Sequence, residues 1–121
     1  MIKVKVIAIG KLKEGYLREA CCEYTKRLSR YCELIIEEIS PQNLSDEPSK
    51  LEINSALSKE AEQIIKKIPP EFMTVALCIE GKQKSSEKFA EFTAECKNSG
   101  KNVCFIIGSS YGLSDTIKQK A

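Results

Sequence analysis

A glycine-rich segment near the end of the chain has the residue types and spacing of a ligand-binding turn. Residues 108–112, with the sequence GSSYG, directly follow an apolar run, 103–107, that predicts a buried strand. Ser114 then stands where the N-cap of a helix is expected. Proteins with parallel sheets bind small polar or charged molecules at such strand-to-helix turns. The segment is therefore the first place to look for chemistry.

The same segment matches the G-x-S-x-G pattern of hydrolase nucleophile elbows, in which Ser110 would be the nucleophile. That mechanism needs a histidine to accept the proton of the serine and to pass it to the leaving group. The sequence contains no histidine. A self-contained Ser-His-Asp hydrolase is therefore excluded.

Nucleotide-binding motifs are incomplete in this chain. Residues 10–15, GKLKEG, follow the first predicted strand but lack the middle glycine of the dinucleotide fingerprint. Spacing alone leaves two interpretations of residues 108–112. They form a tight connection whose glycines supply backbone angles that other residues resist, or they expose backbone groups that recognise an adenine or sulfonium ligand.

The cysteines do not indicate a metal site. The six of them include no C-x-x-C pair, and no histidine is present to complete a mixed zinc site. Cys78 and Cys104 fall in predicted strands, while Cys21 and Cys96 fall on the apolar faces of predicted helices. We therefore expect buried structural thiols, which pack as small hydrophobic groups.

Composition and charge limit the class of protein. The 121 residues are 42% hydrophobic and 30% charged, which is typical of a single globular domain. The absence of a signal-peptide pattern predicts a cytoplasmic protein. The net charge is only +2, but residues 1–31 hold eight Lys or Arg against three Glu. This cluster indicates either a phosphate-binding face at Lys11, Lys13, Arg27 and Arg30 or simply a solvated helix face.

The hydrophobic periodicity predicts the order β-α-β-α-β-α-β-α within one domain, residues 1–121. Strands are predicted at 2–9, 33–39, 74–79 and 102–107, and helices at 14–31, 49–68, 86–98 and from 114 onward. The first helix is expected to bury one stripe of side chains, namely Leu17, Cys21, Tyr24, Leu28 and Tyr31. The last two strands are almost continuously apolar. The fold class is therefore α/β, a mostly parallel sheet with helices on both faces.

Four blocks of the sequence resemble the RlmH family of bacterial SPOUT-class methyltransferases. They occur in the order and approximate spacing of that family and read VKVIAIGKLKEGYLREACCEYTKRLSRYCELIIEEI, KEAEQIIKKI, LCIEGKQKSSEKFA and CFIIGSSYGLSDTIKQKA. The resemblance covers the chain except for the loop at 40–50. It implies a SPOUT fold with a deep trefoil knot.

The resemblance also implies an activity and a site. The family transfers a methyl group from S-adenosylmethionine to N3 of a pseudouridine in 23S ribosomal RNA within the large subunit, and it acts as a homodimer without a metal. The positions that line its cofactor site correspond here to Leu77 and Gly108, and Ser109, Ser110 and Gly112 would complete the loop. This chain has Ser109 where a second glycine is usual.

The resemblance further implies that about a quarter of the family's length, at the C-terminal end, is absent, so an incomplete knot is expected. Two alternatives to a working enzyme follow. The chain is a catalytically inactive remnant or binding module of the same fold, or it is an unrelated flavodoxin-like nucleotide binder.

Overall fold

The computed structural model describes residues 1–12, 14–78, 80–109 and 111–121. Four strands alternate with four helices, in the predicted order. The elements are β1 (Ile2–Ile9), α1 (Gly15–Leu28), β2 (Cys32–Ile39), α2 (Lys50–Lys67), β3 (Met73–Leu77), α3 (Ser86–Asn98), β4 (Val103–Ile107) and α4 (Asp115–Lys120).

The four strands form one sheet in the order β2-β1-β4-β3. Every neighbouring pair is parallel, which confirms the predicted fold class. Flavodoxin-like sheets place the third strand next to the first. Here β4 lies beside β1 and β3 lies at the edge, so the flavodoxin-like alternative is wrong.

The direction of each crossover decides which face of the sheet each helix covers. Right-handed connections from β1 to β2 and from β3 to β4 run the same way across the sheet, so α1 and α3 share one face. The connection from β2 to β3 runs the opposite way and places α2 on the other face, where it meets α4. The molecule therefore has a three-layer arrangement.

The face under α2 and α4 carries the closed hydrophobic core. Its buried members come from the two central strands, α2 and the segment around α4, and they are Ile7, Ile9, Ala61, Ile64, Cys104, Ile106, Leu113 and Ile117. Burial of an isoleucine side chain contributes about 1.5–3 kcal/mol to the hydrophobic free energy of folding. This core fixes α4, and with it the turn that precedes it.

The opposite face is open, and the prediction that α1 buries an apolar stripe is wrong. The structure describes all of Gly15–Leu28, and none of these residues is buried. Tyr24 and Tyr31 expose 62% and 63% of their surface, and an apolar groove of about 510 Å³ lies between α1 and α3. Periodicity identifies the side chains that share one face of a helix, but it does not identify what covers them.

The six cysteines include buried, partly buried and exposed thiols, so the expectation of uniformly buried thiols is only partly correct. Cys32, Cys96 and Cys104 are buried, whereas Cys21 and its neighbour Cys22 are exposed on α1. Cys78 lies just beyond β3 and not inside it, because the strand ends at Leu77.

Local capping explains where the helices begin and end. Ser49 forms a capping box with Glu52 at the start of α2. Gly100, with a φ of +68°, donates its N–H to the Lys97 carbonyl after α3. The N–H of Lys101 reaches the Cys96 carbonyl at 2.9 Å, which completes a Schellman motif. Gly100 is thus the C′ residue that the sequence predicts.

Candidate functional site

The carboxyl ends of β3 and β4 lie side by side at one edge of the sheet. Leu77, the last residue of β3, pairs in register with Ile107, the last residue of β4. The two side chains are 50% and 41% exposed, so apolar surface is accessible at this edge. Gly108 follows Ile107 directly. The two segments that the sequence singles out, after β3 and after β4, are therefore neighbours in space.

The turn after β4 is closed by its own backbone. The N–H of Gly112 donates to the carbonyl of Ser109 at 2.9 Å, and the N–H of Tyr111 donates to the Ser109 hydroxyl at 3.3 Å. A Cβ atom on Gly108 would overlap the Gly112 carbonyl oxygen and would lie 2.9 Å from Cγ of Leu113. Gly108 is needed because the returning chain packs against it.

The other positions in the turn have different requirements. Gly112 has a φ of +87°, which is the region that favours glycine, and a Cβ atom built on it would meet no atom within 4 Å. Ser109 has no positive φ, so serine fits where the family usually has a second glycine. Ser110 lies outside the described residues. The geometry thus supports the interpretation as a tight connection, and the partly exposed Leu77 and Ile107 beside it present apolar surface.

The α4 helix gives this turn a rigid support. The side chain of Ile117 is fully buried, and that of Leu113 is 5% exposed. The Ser114 hydroxyl accepts a hydrogen bond from the N–H of Ile117 at 3.4 Å, so Ser114 is the N-cap that the sequence predicts. Burial and capping together hold α4 against the sheet.

An ion pair that the sequence analysis did not predict crosses this edge. The ammonium group of Lys118, on α4, contacts the Glu80 carboxylate in the loop after β3. Hydrogen bonding and charge attraction between them lower the pKa of the Glu80 carboxyl and raise the pKa of the Lys118 ammonium. The two residues are far apart in sequence. Only the placement of β3 beside β4 brings them together.

The predicted basic residues do not form one patch. Lys11 is exposed after β1, at the carboxyl edge, whereas Arg27 and Arg30 are exposed near the far end of α1. At 1.5 Å per residue, the helix separates the two groups by about 20 Å. Arg27 also donates to the Glu23 carboxylate at 3.1 Å and lies over the ring of Tyr24. Lys13 lies outside the described residues.

Two further properties concern the whole of the described chain. Within residues 1–12, 14–78, 80–109 and 111–121, no three Cys, Asp or Glu side chains are grouped closely enough to hold a metal ion. No described helix has both the length and the apolar character that crossing a bilayer requires.

Comparison with known proteins gives a consistent result. The family model described as "Predicted SPOUT methyltransferase" matches residues 2–121. The chain is 42% identical over 121 residues to the protein named Ribosomal RNA large subunit methyltransferase H of Streptococcus equi subsp. zooepidemicus. It is 40% identical to the protein of that name from Bacillus pumilus and 43% identical to that from Streptococcus pyogenes serotype M12. Each alignment covers 99% of this chain and 76% of the relative.

Proposed function

The chain belongs to the SPOUT methyltransferase family, and on this premise we propose that it methylates N3 of a pseudouridine in large-subunit ribosomal RNA. The methyl donor in this proposal is S-adenosylmethionine. The observation that carries the proposal is the 40–43% identity, across 99% of the chain, to proteins named Ribosomal RNA large subunit methyltransferase H. Action on ribosomes would place the protein in the cytoplasm. The trefoil knot stays a prediction for this chain.

We place the cofactor at the edge formed by Leu77, Gly108, Ser109 and Gly112, with Ser110 completing the loop by resemblance. The half-exposed side chains of Leu77 and Ile107 offer an apolar surface to an adenine ring. The open space beside Gly112 allows a ligand to approach the backbone of the turn. The residues present therefore fit a ligand that combines a flat apolar ring with polar groups.

The contribution of this chain to the reaction is mainly positional. S-adenosylmethionine supplies a methyl group that its sulfonium charge makes electrophilic. A turn that is anchored by the buried side chains of Leu113 and Ile117 would hold a bound ligand in one orientation, and correct orientation of two reactants can lower a barrier by about 7–11 kcal/mol. Positioning of this size does not require a conspicuous acid–base pair at the site.

We propose Lys11 as an RNA contact, because it is exposed at the same edge as the cofactor site. Lys13, Arg27 and Arg30 remain candidates that the charge pattern of residues 1–31 suggests. Reversal of a charge that contacts a phosphate group should weaken ribosome binding. It should also make the plot of log affinity against log salt concentration less steep, by about one released counterion for each lost contact. Filter binding of Lys11→Glu at several KCl concentrations tests this. Unchanged affinity and salt slope would remove Lys11 from the interface.

We also propose a homodimer, as the family resemblance implies. The exposed apolar side chains of α1, including Leu28 and Tyr24, are available to be covered by a second subunit. Sedimentation equilibrium at micromolar concentrations should give twice the mass of the chain. If the protein is monomeric at all of these concentrations, the proposed dimer is wrong, but the assignment to the family is unaffected.

The function is tested by methyl transfer to ribosomes. Large subunits that lack the modification are incubated with the protein and labelled S-adenosylmethionine, and the modified nucleoside is identified by mass spectrometry of the RNA. We expect one N3-methylpseudouridine per subunit. Cofactor binding without methyl transfer would instead identify a binding module. If the protein neither binds the cofactor nor transfers the methyl group, the proposal for this chain is refuted.

A further inference from the structure

The ion pair between Glu80 and Lys118 joins the two segments that border the proposed cofactor site. Glu80 follows β3 within a turn that is closed by a hydrogen bond of 3.1 Å from the Gly81 N–H to the Cys78 carbonyl. Lys118 lies on α4, four residues beyond its N-cap Ser114. Since β3 and β4 are adjacent, the pair spans the carboxyl edge of the sheet.

The two partners differ in how firmly they are held. Lys118 directly follows the fully buried Ile117, and its N–H donates to the Ser114 carbonyl at 3.2 Å. Residues 80–85, by contrast, are exposed along their whole length. The helix is therefore anchored to the core at Ile117, and the ion pair connects an exposed loop to it.

We propose that Glu80 and Lys118 are positioning residues that hold the loop after β3 against α4 and so set the width of the cofactor site. The inference rests on the proposed function for the identity of the ligand. Lys118 is 31% exposed and Glu80 is 58% exposed at the side chain, so solvent weakens their attraction. The pair acts by restricting the loop and adds little to global stability.

Charge reversal tests the pair directly. Glu80→Lys and Lys118→Glu each place like charges together, and the double variant restores the attraction in the opposite sense. We expect each single variant to weaken S-adenosylmethionine binding about fivefold, and the double variant to return within about twofold of the wild type. In a working enzyme the KM for the cofactor should rise while kcat stays nearly constant.

A second readout follows the loop without any ligand. Amide hydrogen exchange in residues 80–86 should become faster in each single variant and should return to the wild-type rate in the double variant. Glu62 and Lys66, which are exposed four residues apart on α2, supply a matched control. The same reversals there should change neither exchange in residues 80–86 nor binding of the cofactor.

The outcomes separate this proposal from the proposed function. If the wild type binds S-adenosylmethionine and the single reversals bind it equally well, the positioning role is overturned and the methyltransferase assignment stands. If the wild type binds no S-adenosylmethionine, the proposed function fails, and the exchange rates alone decide whether the pair restrains the loop. Unchanged exchange in both single variants overturns the proposal in either case.

Discussion

At the scale of single residues, Gly108 is the more tightly packed of the two glycines in the turn. Its Cα lies so close to the returning chain that a methyl group would lie 2.7 Å from the Gly112 carbonyl carbon. That carbon belongs to the backbone, so the contact cannot be relieved by a change of side-chain rotamer. The turn must open or the strand must shift.

We therefore predict that Gly108→Ala destabilises the protein by about 1–3 kcal/mol, the usual cost of overpacking. Thermal unfolding measured by circular dichroism should show a lower Tm. Gly15→Ala is the matched control, because a Cβ at position 15 meets no atom within 4 Å and its φ is not positive. Equal Tm values for both variants would mean that the turn is looser than the structure shows.

The cysteines provide a second test at this scale. Burial raises the pKa of the Cys104 and Cys32 thiols, so these groups stay neutral and unreactive to higher pH. Cys21 and Cys22 are exposed. Cys21 belongs to the α1 stripe that the proposed dimer covers, so alkylation of the native protein with iodoacetamide at pH 8, followed by peptide mass spectrometry, should label Cys22 first. Early labelling of Cys104 would contradict its burial in the core.

At the scale of secondary structure, the start of α2 depends on Ser49. Its hydroxyl accepts a hydrogen bond from the N–H of Glu52 at 3.1 Å, and the Glu52 carboxylate accepts one from the N–H of Ser49 at 3.4 Å. Since α2 supplies Ile64 to the core, fraying of its first turn weakens the packing of the sheet.

Ser49→Ala should lower the free energy of unfolding by about 1 kcal/mol, the typical contribution of an N-cap. Urea denaturation measures this difference. Ser58→Ala, in the exposed middle of the same helix, should be neutral or slightly stabilising because alanine has the higher helix propensity. A larger loss at Ser58 than at Ser49 would contradict the capping argument.

The sequence predicts the helices and strands well, but it predicts less well which of their side chains are buried and which residues are neighbours in space. Strand and helix patterns, Ser114 as an N-cap and Gly100 as a C′ residue depend on neighbouring residues, and the structure confirms them. The burial of the α1 stripe depends on what lies opposite the helix, which periodicity does not encode. Arg27 and Lys11 are basic and close in sequence, but a helix of 14 residues separates them.

At the scale of the whole molecule, the strand order decides where a site can form. Placing β4 between β1 and β3 brings the segments after Leu77 and Ile107 together. Neither this order nor the pair between Glu80 and Lys118 can be deduced from local sequence, since both depend on long-range pairing. The hydrophobic core under α2 and α4 supports the site, whereas the open groove between α1 and α3 lies on the opposite face of the sheet.

The central claim is that S-adenosylmethionine binds at the carboxyl edge of β3 and β4. Titration of the ¹⁵N-labelled protein with S-adenosylmethionine, followed by two-dimensional NMR, tests it most directly. We predict that the amide signals of Leu77, Gly108, Ser109 and Gly112 shift in a saturable way while those of α1 do not. Shifts centred on the groove between α1 and α3, or no shifts at millimolar cofactor, would contradict the account.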